Sequence, residues 1–326
     1  MALFHTEDIS GKNFLVTGGA GFIGSHIVEY LLNNGAGKVR VLDNLSTGSA
    51  KNVAMFHDHR NYEFFDGDIC DGATCKVACE GIDHISHQAA LGSVPRSVKD
   101  PVTSNEVNVS GFVRMITAAN NAGVKSFVYA SSSSVYGDEP NLPKTEGRTG
   151  NLLSPYAVTK KTNELYAAVF ANLYGMKVVG LRYFNVFGPR QDPEGPYAAV
   201  IPLFVTGILK QTPVYINGDG EQTRDFTFVE NAVQANIKGM LANNEAAFGQ
   251  VYNVAVGANY SVNFLYSAIG EMLGIDHKAT YREARSGDIR DSLADISKAR
   301  QLLDYKPTQQ FLDGLKLTVQ YFAGGE

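Results

Sequence analysis

The sequence predicts an α/β protein built on a doubly wound parallel sheet, and three observations indicate this class. Short apolar runs alternate with longer amphipathic stretches through the first half of the chain. Glycines follow the first apolar run at the point where a helix would begin. The 326 residues are 44% hydrophobic and 19% charged, which supplies enough apolar material for a large core. Because right-handed crossovers join such strands, helices are expected on both faces of the sheet.

The elements of the first half follow from its apolar patterns. Short apolar runs predict strands at Asn13–Thr17, Lys38–Leu42, Tyr62–Phe65, Asp83–Ser86, Ser126–Ser131 and Lys177–Tyr183. Helical periodicity is clearest at Gly21–Asn34, Thr103–Ala122 and Ser154–Tyr174. These elements predict a first domain over residues 1–187.

The pattern changes after Phe187, where glycines and prolines interrupt it. Short strand candidates follow at Pro213–Ile216 and Val251–Val254. We expect a second, smaller and mixed α/β domain over residues 188–326, with a chain that can cross between the domains more than once. The length of the chain also favours about two structural units.

Composition excludes several classes of protein. There are 28 Lys and Arg against 33 Asp and Glu, so a net charge of -5 argues against a nucleic-acid-binding face. The odd cysteine number, Cys70, Cys75 and Cys79, argues against a disulfide scaffold and favours the reduced cytoplasm. No apolar run reaches the roughly 18 residues of a membrane span, and no leader pattern opens the chain, so a soluble protein without a membrane partner is expected.

The glycine-rich turn after the first strand is the first functional motif. Gly18, Gly21 and Gly24 stand three residues apart between a predicted strand and a predicted helix. Glycines in this place let the backbone approach a pyrophosphate at the helix N-terminus, as in the Rossmann fold. Asp43 ends the second strand, where a carboxylate would bind ribose hydroxyls and repel a 2'-phosphate, which favours NAD over NADP. The alternative is a plain glycine turn with Asp43 as a loop cap.

The segment from Ser154 to Lys160 carries the clearest chemistry. Ser154 is a candidate helix N-cap and Pro155 suits the first helical position. Tyr156 and Lys160 then stand four residues apart on one helix face. A nearby ammonium and the helix N-terminus are both expected to lower the pKa of the phenol, which would make Tyr156 an acid and base near neutrality. The alternative is a pair on the surface of an ordinary helix.

Other motifs complete a family pattern. They are the strand that ends in four serines (Ser131–Ser134), Gly67–Ile69, His87–Ala90, Asn108 and Leu181–Arg190. With the glycine turn and the Tyr156 helix, in this order, the chain resembles the extended short-chain dehydrogenases/reductases. Within them it is similar to the UDP-sugar 4-epimerases over nearly its whole length.

The resemblance implies an NAD-binding Rossmann domain and a UDP-sugar-binding domain. Ser132, Tyr156 and Lys160 match the catalytic residues of the family. NAD would be held by Gly18, Gly21, Phe22, Ile23, Gly24, Asp43, Asn44, Ser46, Thr47, Gly48, Asp68, Ile69, Gln88, Ala89, Ala90, Asn108, Tyr156, Lys160, Tyr183 and Phe184. The UDP-sugar would be held by Gly92, Ser93, Ser132, Ser133, Ser134, Tyr156, Asn185, Ala199, Val200, Tyr215, Ile216, Asn217, Arg224, Arg285, Asp288 and Ser292.

The resemblance also implies the reaction, which is epimerisation at C4 through a 4-keto sugar. Ser292 falls where a bulky tyrosine restricts some members to hexoses without an N-acetyl group, so a serine favours UDP-GlcNAc and UDP-GalNAc. UDP-glucose, UDP-galactose and UDP-glucuronate stay open. Ser133 and Ser134 replace the Asp-Glu pair of the related 4,6-dehydratases, which disfavours dehydration because hydroxyls are poor acids and bases.

Two further expectations concern assembly and metals. Helices at Thr103–Ala122 and Ser154–Tyr174 resemble those that form a four-helix dimer interface in the family, so a homodimer is expected. No metal is expected, because three-residue spacing along a strand points His84 and His87 to opposite faces. A catalytically silent dinucleotide sensor of the same fold is the alternative of another class. The joint presence of Ser132, Tyr156 and Lys160 argues against it.

Overall fold

The computed structural model describes residues 2–194, 198–284 and 289–324. Its strands are β1 (Asn13–Thr17), β2 (Lys38–Asp43), β3 (Tyr62–Asp66), β4 (His84–His87), β5 (Ser126–Ser132), β6 (Val178–Tyr183), β7 (Val186–Phe187), β8 (Tyr215–Asn217), β9 (Thr223–Arg224), β10 (Thr227–Phe228), β11 (Gln250–Val254), β12 (Tyr260–Ser261) and β13 (Thr280–Arg282). Its α-helices are α1 (Phe22–Asn33), α2 (Ala50–Ala54), α3 (Gly72–Ala78), α4 (Val94–Lys99), α5 (Pro101–Asn105), α6 (Phe112–Asn121), α7 (Pro155–Tyr174), α8 (Val200–Leu209), α9 (Val229–Met240), α10 (Val262–Leu273), α11 (Ser297–Leu303) and α12 (Phe311–Ala323).

The predicted doubly wound fold is confirmed. Within the described residues, seven strands form one sheet in the order β11-β6-β5-β4-β1-β2-β3, and every neighbouring pair is parallel. Each strand predicted in the first half lies within one residue of its observed bounds. The strand order reverses between β1 and β4, and ligands of such sheets bind in the crevice at that switch point.

One strand lies in another place than expected. The pattern places the run Val251–Val254 in the second domain, but β11 pairs with β6 at the edge of the large sheet, with Val251 opposite Gly180. The strand itself is found as predicted, but a short apolar run does not reveal its pairing partner. Helix α9 also packs against the large sheet, through β4, β5 and β6. The boundary at residue 188 stays a prediction.

The helical stretch over Thr103–Ala122 has an irregular turn. It is helical as predicted, but it begins with α5 at Pro101, passes through a π-helical turn over Glu106–Gly111 and continues as α6. Such turns insert one extra residue and often occur at functional sites. Here the turn presents Asn108, whose side-chain amide bonds both backbone groups of Leu91.

A separate apolar cluster lies away from the large sheet. Short strand pairs, β8 with β13, β9 with β12 and β7 with β10, lie beside helices α8, α10 and α12. Phe311 stacks on Phe226 and on Tyr260, with ring centroids 5.2 and 4.4 Å apart. Aromatic stacking of this kind adds to the area buried and holds the short strands together. In the described part of the chain, every helix is too short or too polar to cross a lipid bilayer.

Candidate active site

The glycine turn between β1 and α1 leaves no room for side chains. Gly18 has a φ of +69°, and a Cβ there would stand 2.7 Å from the Ala89 amide nitrogen. A Cβ at Gly24 would collide with the Gly18 carbonyl oxygen, and one at Gly21 would stand 3.1 Å from the same oxygen. The turn is therefore a cradle of bare backbone at a helix N-terminus, which suits a pyrophosphate.

Asp43 closes the far side of this cradle. Its carboxylate accepts hydrogen bonds from the backbone amides of Ala20, at 3.0 Å, and Leu45, at 2.9 Å. Burial raises the pKa of the Asp43 carboxyl, and these two amides oppose the rise. Asp43 lines the same cleft as the glycines. A fixed carboxylate in this place matches an adenosine ribose with free hydroxyls and disfavours a 2'-phosphate.

Most of the residues predicted to hold NAD meet in one cleft above the switch point. The lining includes Gly18, Gly21, Phe22, Ile23, Gly24, Asp43, Asn44, Ser46, Thr47, Gly48, Asp68, Ile69, Gln88, Ala89, Ala90, Tyr156, Lys160 and Tyr183. Leu91 lies within the stretch expected to line the NAD site, and the lining residues without a predicted role are Leu42, Gly67, Val107, Ala130 and Ser131. Leu42, Ala130 and Ser131 stand at strand ends, a position that could have indicated them.

Two predicted NAD residues lie behind the cleft wall. The Asn108 side chain accepts from the Leu91 amide at 2.7 Å and donates to the Leu91 carbonyl at 3.1 Å. Phe184 is fully buried, and its ring lies 5.8 Å from that of Tyr136. In this structure both residues support the wall of the cleft.

A hydrogen-bonded group of side chains forms the floor of the cleft. Tyr183 donates its hydroxyl proton to the Gln88 amide oxygen at 3.0 Å and accepts from the Asn236 amide at 2.7 Å. The Gln88 amide in turn donates to the Asn236 oxygen at 2.9 Å. Asn236 comes from α9, far along the chain, and the sequence offered no local signal for it. The group holds Gln88 and Tyr183 at the cleft in one orientation.

The three predicted catalytic residues come together beside this floor. Tyr156 and Lys160 line the cleft from the first turns of α7, and the Ser132 side chain lies close enough to the Tyr156 phenol to influence its pKa. The Lys160 ammonium donates to the Ala130 carbonyl at 2.8 Å and lies 5.8 Å from the centroid of the Tyr156 ring. Burial lowers the pKa of Lys160 to about 8.

The direction of the Tyr156 shift differs from the expectation. Burial raises the pKa of the phenol, and the hydrogen bond with Ser132 opposes the rise without reversing it. The expected lowering is wrong for the protein alone, because the burial of the phenol decides the direction of its pKa shift. Oxidised nicotinamide, when bound, supplies both a hydride acceptor and a positive charge. Without that charge the raised pKa keeps the Tyr156 phenol protonated, and the positive charge of the bound cofactor would favour the phenolate that can accept a proton.

Ser97 fixes the start of the catalytic helix. Its hydroxyl accepts from the Tyr156 backbone amide at 3.0 Å and donates to the Val94 carbonyl at 2.8 Å. Ser154 caps the same helix by accepting from the Ala157 amide at 3.2 Å, as predicted for an N-cap. Ser97 is fully buried and belongs to another helix, so the local pattern of the α7 sequence could not indicate it.

The residues predicted to hold a UDP-sugar are spread over several segments. Gly92 lines the cleft, and Ser93 caps α4 with a φ of +105°. Ser133 and Ser134 lie in the 3-10 turn after β5, where the Ser134 amide donates to the Ser132 hydroxyl at 3.1 Å. Asn185 has a φ of +35°. Arg285 and Asp288 lie outside the described residues.

A second cavity of about 400 Å³ is lined by three of the remaining residues predicted to hold the UDP-sugar. Val200, Tyr215 and Asn217 line it, while Ala199 caps α8 at its edge and Ile216 is buried between them. Arg282, which had no predicted role, lines the same cavity with its guanidinium 4.0 Å from the Tyr215 ring centroid. Arg224 and Ser292 lie on adjacent segments, since the Ser292 amide donates to the carbonyl of Thr223 at 3.2 Å.

The two histidines of β4 have separate surroundings. His84 bonds the Ser126 hydroxyl at 2.8 Å, whereas His87 bonds the Thr17 hydroxyl at 2.8 Å. The described ranges hold no grouping of three metal-ligating side chains. The cysteines of the cluster are free thiols.

Comparisons with known proteins agree with this geometry. The family model "NAD dependent epimerase/dehydratase family" matches residues 14–255. A UDP-glucose 4-epimerase from Mycolicibacterium smegmatis is 39% identical over 310 residues, with 94% of this chain and 97% of the relative covered.

Solved structures show the same likeness. A UDP-N-acetylglucosamine 4-epimerase from Methanobrevibacter ruminantium M1, solved with UDP-N-acetylmuramic acid, superposes with a TM-score of 0.90 at 41% identity and covers 96% of this chain and 98% of its own. A UDP-glucose 4-epimerase from Thermus thermophilus, solved with NAD, gives a TM-score of 0.86 at 36% identity and covers 96% of this chain and 100% of its own.

These matches confirm the predicted resemblance to the UDP-sugar 4-epimerases and the assignment to the isomerases. They also agree with the cradle of glycines and the fixed Asp43 carboxylate, which fit a dinucleotide. The chain therefore belongs to the NAD dependent epimerase/dehydratase family, and NAD is its cofactor.

Proposed function

We propose that this enzyme interconverts UDP-GlcNAc and UDP-GalNAc by epimerisation at C4. The observation that carries the reaction type is the meeting of Ser132, Tyr156 and Lys160 at one edge of the NAD cleft. The choice of sugar depends on Ser292, a small residue on the segment beside the Thr223 and Arg224 strand. A solved relative that is 41% identical is a UDP-N-acetylglucosamine 4-epimerase, which supports this choice.

Each catalytic side chain has a distinct role in this proposal. Tyr156 accepts the C4 hydroxyl proton as the carbon loses hydride, and it returns the proton when hydride comes back to the other ring face. Ser132, next to the Tyr156 phenol, bonds to the same hydroxyl and holds it in line. Lys160, fixed on the Ala130 carbonyl, keeps a positive charge below the Tyr156 ring. The reaction has no net redox change, because NAD is restored in each turnover.

The nucleotide end must stay bound while the hexose turns over. Val200, Tyr215 and Asn217 line a cavity for one end of such a substrate. Arg224, on β9, adds a cation for the diphosphate. A hexose that is not tightly held can present either ring face to the same tyrosine. In this mechanism the site binds UDP tightly and leaves free space around the sugar.

The substrate class is tested with the purified protein and no added cofactor. UDP-GlcNAc, UDP-glucose, UDP-glucuronate and dTDP-glucose are incubated separately, and the products are identified by NMR. Inversion at C4 of UDP-GlcNAc supports the proposal. Inversion confined to UDP-glucose, the substrate named in the Mycolicibacterium smegmatis relative, contradicts the choice of sugar. Binding without any turnover would favour the dinucleotide sensor.

Ser292→Tyr tests the basis of sugar choice. Ser292 is partly buried, and a tyrosine in its place would fill the space proposed for the N-acetyl group. We expect kcat/KM for UDP-GlcNAc to fall at least tenfold, a loss of roughly 1.4 kcal/mol in transition-state binding. We expect kcat/KM for UDP-glucose to stay within about threefold of the parent value. Initial rates on both sugars check this. Ser267→Tyr, at an exposed serine of α10, is the matched control, and an equal loss on both sugars in Ser292→Tyr would contradict the proposal.

We also propose that two copies of the chain pair through α7. This helix leaves several apolar side chains exposed along its length, with relative exposures of 49% for Val158, 59% for Leu165, 48% for Val169 and 71% for Leu173. Val102, on the adjoining α5, is 78% exposed. An apolar stripe of this extent on a monomer marks an interaction surface, and the family resemblance points to a second copy as the partner.

Leu165→Asp tests the dimer. A charge in the middle of an apolar interface must be desolvated without a partner, so the variant is expected to run as a monomer at micromolar concentration. Analytical ultracentrifugation of both proteins measures the mass directly. Leu312→Asp, at an exposed leucine of α12, should remain dimeric. A monomeric parent protein would refute the pairing.

A further inference from the structure

The loop between β9 and β10 holds a buried carboxylate that the proposed reaction does not use. Asp225 follows Arg224 directly and is fully buried. Among the described residues its carboxylate accepts hydrogen bonds from the amides of Val256, at 3.1 Å, Gly257, at 3.1 Å, and Ala294, at 3.2 Å. A charged group is rarely buried without a function, because its desolvation costs several kcal/mol.

The carboxylate joins three segments that are far apart in sequence. One is its own loop, which carries Arg224. The second is the loop at 256–258 after β11, and the third is the segment at 289–294, which carries Ser292. The backbone oxygen of Asp225 adds a fourth connection, since it accepts from the Asn185 side-chain amide at 3.2 Å.

The same segments are also fastened by neighbouring bonds. The Thr223 hydroxyl donates to the Asp291 carboxylate at 2.7 Å, and the Thr223 amide donates to the Arg290 carbonyl at 3.0 Å. The Arg224 guanidinium donates to the Arg290 carbonyl at 3.0 Å. The strand that carries Arg224 and the segment that carries Ser292 therefore form one packed unit.

We propose that Asp225 is a positioning residue for the nucleotide-sugar. It fastens the segments that carry Asn185, Arg224 and Ser292 into one binding surface. This inference rests on the function proposed above, which assigns those residues to the UDP-sugar. Burial raises the pKa of Asp225 to about 6, against the backbone amides that lower it, so the carboxylate is ionised in an assay at pH 8.

Asp225→Asn is the first test. The amide has the shape of the carboxylate, but one acceptor oxygen becomes an NH2 donor. At least one of the backbone amides of Val256, Gly257 and Ala294 therefore loses its acceptor. We expect KM for the UDP-sugar to rise at least tenfold at pH 8. We expect kcat to change by less than about threefold and bound NAD to stay stoichiometric, because the catalytic residues and the NAD cleft lie on other elements. Asp313→Asn, at an exposed aspartate of α12, is the matched control and should leave both constants unchanged.

A milder variant keeps the test decisive if Asp225→Asn does not fold. Thr223→Val keeps the size of the side chain and removes its bond to Asp291, which loosens the same unit. We expect its KM to rise about threefold or more with kcat unchanged. An unchanged KM in whichever variant folds overturns the inference. A fall in kcat together with loss of NAD also overturns it, because that pattern marks a general structural role.

The failure of the proposed function can be told apart from the failure of this inference. If the parent protein turns over no UDP-sugar, the proposed function fails. Titration calorimetry with UDP alone then decides the role of Asp225. The affinity of Asp225→Asn for UDP should be at least tenfold weaker than that of the parent, and equal affinities refute the role.

Discussion

Replacement of Tyr156 by phenylalanine is expected to lower kcat by about 10³-fold, within the range that a positioned acid and base contributes. The variant loses the phenol oxygen and keeps the ring. The Tyr156 amide still donates to Ser97, and Lys160 still donates to the Ala130 carbonyl, so the helix start and the cleft stay in place. Only the proton transfer with the C4 hydroxyl is removed.

Ser132 cannot take over this role. Its hydroxyl is a much weaker acid than a phenol, and it already accepts from the Ser134 amide at 3.1 Å. Lys160 is committed to the Ala130 carbonyl at 2.8 Å. No neighbouring group of the described cleft thus offers an equal replacement for the phenol, which is why the expected loss is large.

The measurement pairs turnover with cofactor content. kcat is obtained by NMR on the preferred UDP-sugar, and NAD is released by denaturation and quantified against protein. Tyr321→Phe, which removes a phenol from α12, is the matched control and should keep full activity. Activity of Tyr156→Phe within tenfold of the parent would refute the role of the phenol. A loss of NAD would instead show damage to the cleft.

Local patterns predicted most of the large sheet. Each strand of the first half carries its own apolar run, and the glycine turn stands between β1 and α1 where the spacing places it. The same reasoning found β11 as a strand but did not show which strand it pairs with. Its short run looks like any strand, and only the pairing with β6 shows that the chain returns to the large sheet. Pairing between distant segments is a tertiary property that periodicity does not encode.

The site divides in the same way. Gly18, Asp43 and the pair Tyr156 and Lys160 sit in motifs a few residues long, which are visible in the sequence. Ser97 and Asn236 act on the site from distant helices, through the Tyr156 amide and the Tyr183 hydroxyl. Nothing in their own neighbourhoods indicates this contact. Residues that position others were therefore missed more readily than residues that carry the chemistry.

The pKa of Tyr156 illustrates why spacing is insufficient for electrostatics. Spacing places Lys160 one turn away and suggests a lowered pKa for the phenol. The fold buries that phenol, which raises its pKa, and gives the ammonium a carbonyl partner. Burial outweighs proximity here, because desolvation acts on the ionised phenol directly.

A buried ion pair lies behind the catalytic residues, and its loss is expected to lower the free energy of unfolding strongly. Glu164 lies one turn beyond Lys160 on α7, and its side chain is 5% exposed, while that of Arg182 on β6 is 1% exposed. The two form a bidentate pair, with Nε to Oε1 at 2.7 Å and Nη2 to Oε2 at 2.8 Å. The Ser131 hydroxyl donates to the same carboxylate at 2.7 Å. The pair thus ties α7 to β6 and to the residue before Ser132.

Glu164→Gln is expected to lower the free energy of unfolding by about 3–5 kcal/mol. The substitution leaves the Arg182 cation buried with a neutral partner, and the lost charge is not replaced by water. Burial alone would raise the pKa of Glu164, but Arg182 and Ser131 outweigh burial and lower it. The folded state therefore holds the carboxylate in its ionised form, and a neutral amide cannot match that attraction.

Urea denaturation of the holoprotein measures the change, with two comparisons. Glu245→Gln breaks the surface pair with Lys177, in which the glutamate side chain is 76% exposed, and should cost no more than about 1 kcal/mol. Glu164→Leu combined with Arg182→Met removes both charges and should recover part of the loss, since paired removal leaves no orphan charge. A cost for Glu164→Gln no greater than that for Glu245→Gln would refute the expectation. The double variant also removes the side-chain oxygen that accepts from Ser131, the residue before Ser132, so it should recover part of the stability while kcat stays below that of the parent.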